Sequence, residues 1–106
     1  MSTVAIGQFS AGEDKTANLR EIERLAQTAA ENRAKMLFLP EYSMYYAKVN
    51  ARSKNIEAAE RCDGAFIIAL GELCRRYGLW IAAGMYERMT WTPEEYEARL
   101  ADWLER

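Results

Sequence analysis

Histidine is absent from all 106 residues. Within this chain that excludes Ser-His-Asp and Cys-His catalysis, the two-histidine zinc helix and histidine proton shuttling. Any chemistry falls to carboxylate, lysine, cysteine or tyrosine. Cysteine is scarce as well: Cys62 and Cys74 are too few for a disulfide framework, and their spacing does not suit a zinc ribbon. Cys74 falls among Leu70, Leu73 and Tyr77, where a cysteine is most often a small buried hydrophobe. An excess of positive charge is also missing. The net charge is -2, with Lys and Arg interleaved with Glu, so no nucleic-acid partner is expected. No apolar run approaches a membrane span, and the N-terminus lacks the basic-then-apolar pattern of a signal peptide, which predicts a cytoplasmic protein with no membrane partner. The six glycines form neither a phosphate-binding loop nor a dinucleotide fingerprint.

Half of the residues are hydrophobic, enough for one small globular domain. Thr3 to Phe9 is β-branched and apolar, as a buried strand requires. After a turn over Ser10 to Asp14, Leu19, Ile22, Ala26, Ala29 and Ala30 recur at helical spacing among polar residues, predicting an amphipathic helix from about Lys15 to Asn32. Lys35 to Leu39 is a short second strand closed by Pro40. Tyr42 to Asn55 has no clean period and is expected to be loop with a helical turn or two, followed by a helical stretch over Ile56 to Arg61. Asp63 is a candidate N-cap for a helix over Ala65 to Tyr77 that buries Phe66, Leu70, Leu73, Cys74 and Tyr77 and stops at Gly78. Leu79 to Gly84 is the third strand. Thr92, Pro93 and Glu95 supply an N-cap, a proline at N1 and a glutamate at N3, starting a last helix with Tyr96, Leu100, Trp103 and Leu104 on one face. Strand, helix, strand, helix, strand argues for an α/β layered domain with right-handed crossovers.

The most informative segment is Met36-Leu37-Phe38-Leu39-Pro40-Glu41-Tyr42, an apolar strand that delivers an acid at its C-terminal end, where open α/β sheets gather their ligands. From spacing alone Glu41 reads more simply as a solvated loop residue or a cap of the next turn. The segment nevertheless resembles the first signature of the nitrilase superfamily of carbon–nitrogen hydrolases, and other features follow in family order. They are Val4-Ala5-Ile6-Gly7-Gln8, Asn18, Arg33-Ala34-Lys35, Asp63-Gly64, Leu70 to Leu73, Arg75-Arg76-Tyr77-Gly78 and Ile81-Ala82-Ala83-Gly84-Met85-Tyr86-Glu87. The resemblance implies an α/β fold that forms part of an α-β-β-α sandwich, three strands alternating with helices plus a C-terminal helix. It covers residues 1–88 as the N-terminal part of the family's domain and leaves 89–106 as an amphipathic helix of unassigned origin.

In the family a cysteine thiolate attacks a nitrile or amide carbon, a glutamate acts as general base, and a lysine stabilises developing charge. The resemblance places the base at Glu41, with Tyr42, Tyr45 and Tyr46 as candidates to line the pocket. It carries over neither the lysine nor the nucleophile, which lie further along in family members. Cys62 precedes Asp63-Gly64 and reads as a helix-approach residue. General-base catalysis contributes roughly a hundredfold to ten-thousandfold, far short of amide hydrolysis. The expectation is a truncated hydrolase, inactive in isolation, acting on a small amide or nitrile only when a missing half completes it, with no cofactor and no metal. The alternatives are a non-catalytic module that binds or self-associates as a homo-oligomer, and one piece of a split hydrolase. Trp91, Tyr96, Leu100 and Trp103 favour burial of the last helix against this domain or a partner.

Overall fold

Asp14 begins the first long helix by accepting hydrogen bonds on its Oδ1 from the amides of Thr16 and Ala17, at 3.0 and 3.1 Å. The structure, a computed structural model, describes residues 3–88 and 92–106. Its elements run β1 (Val4–Ile6), α1 (Lys15–Glu31), β2 (Met36–Phe38), α2 (Ala51–Ala58), α3 (Ala65–Tyr77), β3 (Trp80–Ala82) and α4 (Pro93–Glu105). Helix α1 buries Asn18, Ile22, Ala26 and Ala29, one residue per turn along a single stripe. The chain leaves it through Arg33, a non-glycine residue in the left-handed region at φ 60°.

The three strands form one parallel sheet in the order β1-β2-β3. Register pairs Ala5 with Leu37 and Leu37 with Ile81, so these three share a face. That face meets Ala26 and Ala29 of α1 together with Ala34 and Leu79 in one cluster. A second cluster joins Ile22 of α1 to Phe66, Leu70 and Leu73 of α3 and to Met44 and Tyr45. Both clusters lie on the same side of the sheet, so the described fold is two layers. The expectation of a buried first strand therefore holds for one face only: Ala5 turns inward, while Val4 and Ile6 are exposed because no helix among the described residues lies over them.

Helix α3 starts differently from the expected Asp63 cap. Its N-cap is Gly64, which has no side chain to offer, and the Asp63 carboxylate pairs with Arg61 at 2.9 Å. The capping oxygen comes from Glu60, whose Oε1 accepts from the Phe66 amide at 2.8 Å while its Oε2 pairs with Lys15 at 2.8 Å. Glu60 also bridges in parallel to Glu87 through Glu60 N–H to Tyr86 O and Arg88 N–H to Glu60 O. One acid thus fastens α1, α3 and the chain after β3. The C-terminus of α3 follows expectation, with Gly78 left-handed at φ 64°. The helix expected over Ile56 to Arg61 runs instead from Ala51 to Ala58 and buries only Ala58, so it leaves almost no apolar period to read.

Helix α4 begins as expected, with Thr92 Oγ1 accepting from the Glu95 amide at 3.1 Å. None of its residues is buried, and Tyr96, Leu100, Trp103 and Leu104 are all exposed, so the described residues do not cover them. The radius of gyration, 15.9 Å, exceeds the roughly 13 Å of a compact domain this long, consistent with a helix standing off the body. Trp91 lies outside the described residues. Among the described residues no helix is long and apolar enough to cross a membrane.

Candidate active site

All three strands point their C-terminal ends the same way, and the loops that leave them meet at one rim. The ladder continues one residue beyond the strands, with Gly7 N–H donating to Phe38 O at 2.8 Å and Leu39 N–H to Ala82 O at 2.9 Å. Pro40 then ends the pairing, and Glu41 enters a tight turn. Ser43, fully buried, closes that turn by donating its hydroxyl to the Pro40 carbonyl. The turn docks on the segment after β3: Met44 N–H donates to Gly84 O at 3.2 Å, and Gly84 N–H reaches Ser43 Oγ at 3.4 Å.

Gly84 is what lets Glu41 sit there. A Cβ at this position would fall 1.6 Å from the Glu41 carbonyl oxygen and 2.5 Å from its carbonyl carbon. Any side chain at 84 would therefore collide with the backbone of Glu41.

The loop after β1 is tied to the same rim by Asn18, buried in the first turn of α1. Its Nδ2 donates to Gly12 O and to Met44 O, both at 2.9 Å, while its Oδ1 accepts from Gly12 N–H at 3.0 Å. Tyr46 N–H adds a bond to Gly12 O at 3.0 Å. One amide side chain therefore holds two loops together from beneath.

The rim encloses a cleft of about 410 Å³ lined by Phe9, Ser10, Ala11, Pro40, Glu41, Tyr42, Tyr46 and Lys48. Glu41 is exposed within it. The Tyr42 ring lies 5.2 Å from Tyr46 and stacks at 6.1 Å on Tyr86, forming an aromatic wall. Burial pushes the Tyr86 phenol above its ordinary value, and the neighbouring Tyr42, Glu41 and Tyr46 add to the rise. Of the sequence-derived site residues, the structure brings Glu41, Tyr42 and Tyr46 together and leaves Tyr45 out. Tyr45 turns into the core and donates its hydroxyl to Glu13 at 3.3 Å. Glu13 is held by Lys54 at 2.9 Å, and that hydrogen bond draws the carboxyl below its ordinary value.

Sequence reasoning missed Lys48 and the Phe9-Ser10-Ala11 wall. The available signal was topological: in a parallel sheet the loops leaving adjacent strands share a rim, so residues just after β1 face those after β2. Lys48 makes no ion pair among the described residues, which leaves the cleft with one acid and one base that do not neutralise each other.

Neither cysteine joins this cleft. Cys62 lies in a separate depression with Arg61, Asp63, Glu87 and Arg88, and its thiol donates to Glu87 Oε1 at 2.9 Å. That hydrogen bond, then burial, then the Glu87 and Asp63 charges all push the thiol up and disfavour the thiolate a nucleophile needs. Cys74 is half-buried in α3. Among the described residues no group of three or more metal-ligating side chains converges. The arrangement offers a carboxylate that can accept a proton beside an aromatic wall and a cation, with no activated nucleophile beside it.

Comparison with known proteins shows the family and the fold. The chain is 35% identical over 88 residues to the nitrilase and fragile histidine triad fusion protein NitFhit of Drosophila melanogaster, covering 82% of this chain and 19% of that protein. It is 31% identical over 83 residues to the deaminated glutathione amidase of Yersinia enterocolitica, covering 78% of this chain and 28% of the relative. The crystal structure of the C. elegans NitFhit protein superimposes with a TM-score of 0.70 at 22% identity, covering 90% of this chain and 23% of that one, a likeness of fold. The chain thus spans about a fifth to somewhat over a quarter of the proteins it matches. The Carbon-nitrogen hydrolase family pattern matches residues 3–101, and on that match the chain belongs to the carbon–nitrogen hydrolase family.

Proposed function

We propose that this chain contributes the general-base arm of a carbon–nitrogen hydrolase acting on small amides or nitriles, and that it is inactive without a nucleophile from elsewhere. The observation that carries the reading is the docking of the Glu41 backbone on Gly84, which holds the carboxylate at the strand-end rim beside Tyr42, Tyr46 and Lys48. In such a reaction Glu41 takes the proton from an attacking thiol, then from the water that releases the acyl group. A base in that role works best shielded from bulk water, and in this chain Glu41 is exposed. The cover and the nucleophile therefore have to come from outside the 106 residues.

Two measurements test the reading. The chain alone, assayed for ammonia release across amides and nitriles, is expected to show none, and turnover that disappears in Glu41→Gln overturns the claim of inactivity. A chimera is the second: residues of this chain replace the matched stretch of the Yersinia relative, with folding checked by circular dichroism. Glu41→Gln in the folded chimera should cut turnover by about a hundredfold or more. An active, folded chimera indifferent to that substitution would remove Glu41 from the mechanism.

A further inference from the structure

Two opposite charges face the strand-end cleft without forming an ion pair. Of the residues that line it, only Glu41 and Lys48 are charged. Lys48 is exposed but follows an anchored stretch of backbone, since Ala47 is buried in the core and Tyr46 N–H donates to Gly12 O at 3.0 Å. The acid of the adjoining depression is already committed. Lys48 shares that depression with Glu13 and Lys54, and there Glu13 pairs with Lys54 at 2.9 Å and accepts from Tyr45. Lys15 is likewise held by Glu60 at 2.8 Å. Among the described residues, Lys48 is thus a cation at the cleft with no acid to balance it.

We propose that Lys48 is a specificity-determining residue that receives an anionic group of the substrate. The amide or nitrile accepted here then carries a carboxylate at the end remote from its reacting carbon. The two charges order such a ligand. Its carboxylate meets a like charge at the Glu41 end and an opposite one at the Lys48 end, which leaves the neutral amide or nitrile beside the base. The carbons between lie against Tyr42 and Tyr46, whose rings are 5.2 Å apart and offer an apolar wall. A cationic amide is ordered the other way, with its charge on Glu41 and its reacting carbon away from the base. The cleft volume of about 410 Å³ lies near the lower end of the range of roughly 300–1,000 Å³ seen for ligand sites, which suits a short acid. The anionic end is set by Lys48 alone, whereas the reacting end rests on the reading of Glu41 as the base.

The test is binding to the whole chain, read from backbone amide shifts in two-dimensional NMR. The probes are glutaric acid monoamide, its uncharged diamide and the cationic ω-amino amide of the same chain length. The monoamide should shift the amides of Ala11, Tyr46 and Lys48. At low salt it should bind about fivefold tighter than the diamide, the ratio that one exposed charge pair supplies. Lys48→Met should erase that ratio and leave the affinity for the diamide as it was, and Lys48→Arg should restore it. The dispersion of the amide shifts checks that each variant is folded. Equal affinities for the three probes, no binding of any, or a preference that survives Lys48→Met would each overturn the proposal. Binding reads the anion subsite and turnover reads the base, so the two fail separately. A Lys48-dependent preference in the chain, beside a chimera indifferent to Glu41→Gln, would remove the base and keep the subsite.

Discussion

Replacing Gly84 by alanine adds a single carbon, yet the geometry gives that carbon nowhere to go. Its nearest neighbours are all backbone atoms of Glu41, at 1.6, 2.5 and 3.1 Å, so no side-chain rotation relieves the clash. The Glu41 carbonyl would have to retreat from 1.6 Å to the ordinary contact limit of 3.4 Å. A shift of that size pulls the turn off β3 and strains the bonds from Met44 N–H to Gly84 O and from Gly84 N–H to Ser43 Oγ. Overpacking in a tight site costs about 1–3 kcal/mol, and each hydrogen bond lost adds about 1 kcal/mol. The expected destabilisation is therefore about 3–5 kcal/mol. For a domain of this size that lowers the Tm by roughly 12–30 °C. Gly12→Ala is the internal control, because a Cβ there meets nothing within 4 Å. Urea and thermal unfolding followed by far-ultraviolet circular dichroism would measure both. A Gly84→Ala variant with the midpoint of the parent would refute the argument that Gly84 exists to admit the Glu41 backbone.

Other expectations follow from the same contacts. Asn18→Ala strips Gly12 and Met44 of partners, so denaturant unfolding should show a loss of about 2–4 kcal/mol. Burial alone would raise the Glu60 carboxyl, but the Lys15 and Phe66 hydrogen bonds and the Lys15 and Arg88 charges outweigh it and hold the group below 4.5. Because its folded value is depressed, its stabilisation is present above the unfolded value and is lost as pH falls through the folded one. Glu60→Gln should accordingly lower stability at neutral pH and flatten the decline below about pH 4.5 in a pH series of unfolding midpoints. Glu87→Gln removes the strongest influence raising the Cys62 thiol, so alkylation of Cys62 near neutral pH, measured in a Cys74→Ala background, should accelerate.

The parts of the fold that were legible in the sequence are those whose burial is periodic. Helix α3 was expected over its observed residues, and α1 to within one residue at its end, because each buries one stripe, and α3 also ends at the glycine stop Gly78. The stretch around α2 was harder, since a helix that buries only Ala58 leaves no apolar spacing to detect. The Asp63 cap was misplaced for a different reason. Capping by Glu60 depends on a parallel bridge to residue 87, a long-range contact that local sequence does not encode. The rim shows the same division. Glu41 and the neighbouring tyrosines announce themselves after a strand and proline, but the direction of each ring does not. Tyr42 and Tyr46 line the cleft while Tyr45 joins Met44 in the core, an orientation set by the long-range packing of the loop. Lys48 reaches the cleft through the path of the whole loop, which its immediate neighbours do not specify.

Asn18 sits in the first turn of a helix and holds the rim loops by their backbones, so the order of the rim is borrowed from that turn. When the N-terminal end of α1 opens, the amides of Gly12 and Tyr46 lose their protection together, and the seat of Glu41 loosens in the same event. Hydrogen exchange at these positions should report one shared opening free energy. The seating of the Glu41 turn is thus coupled to the fraying of the helix end that carries Asn18.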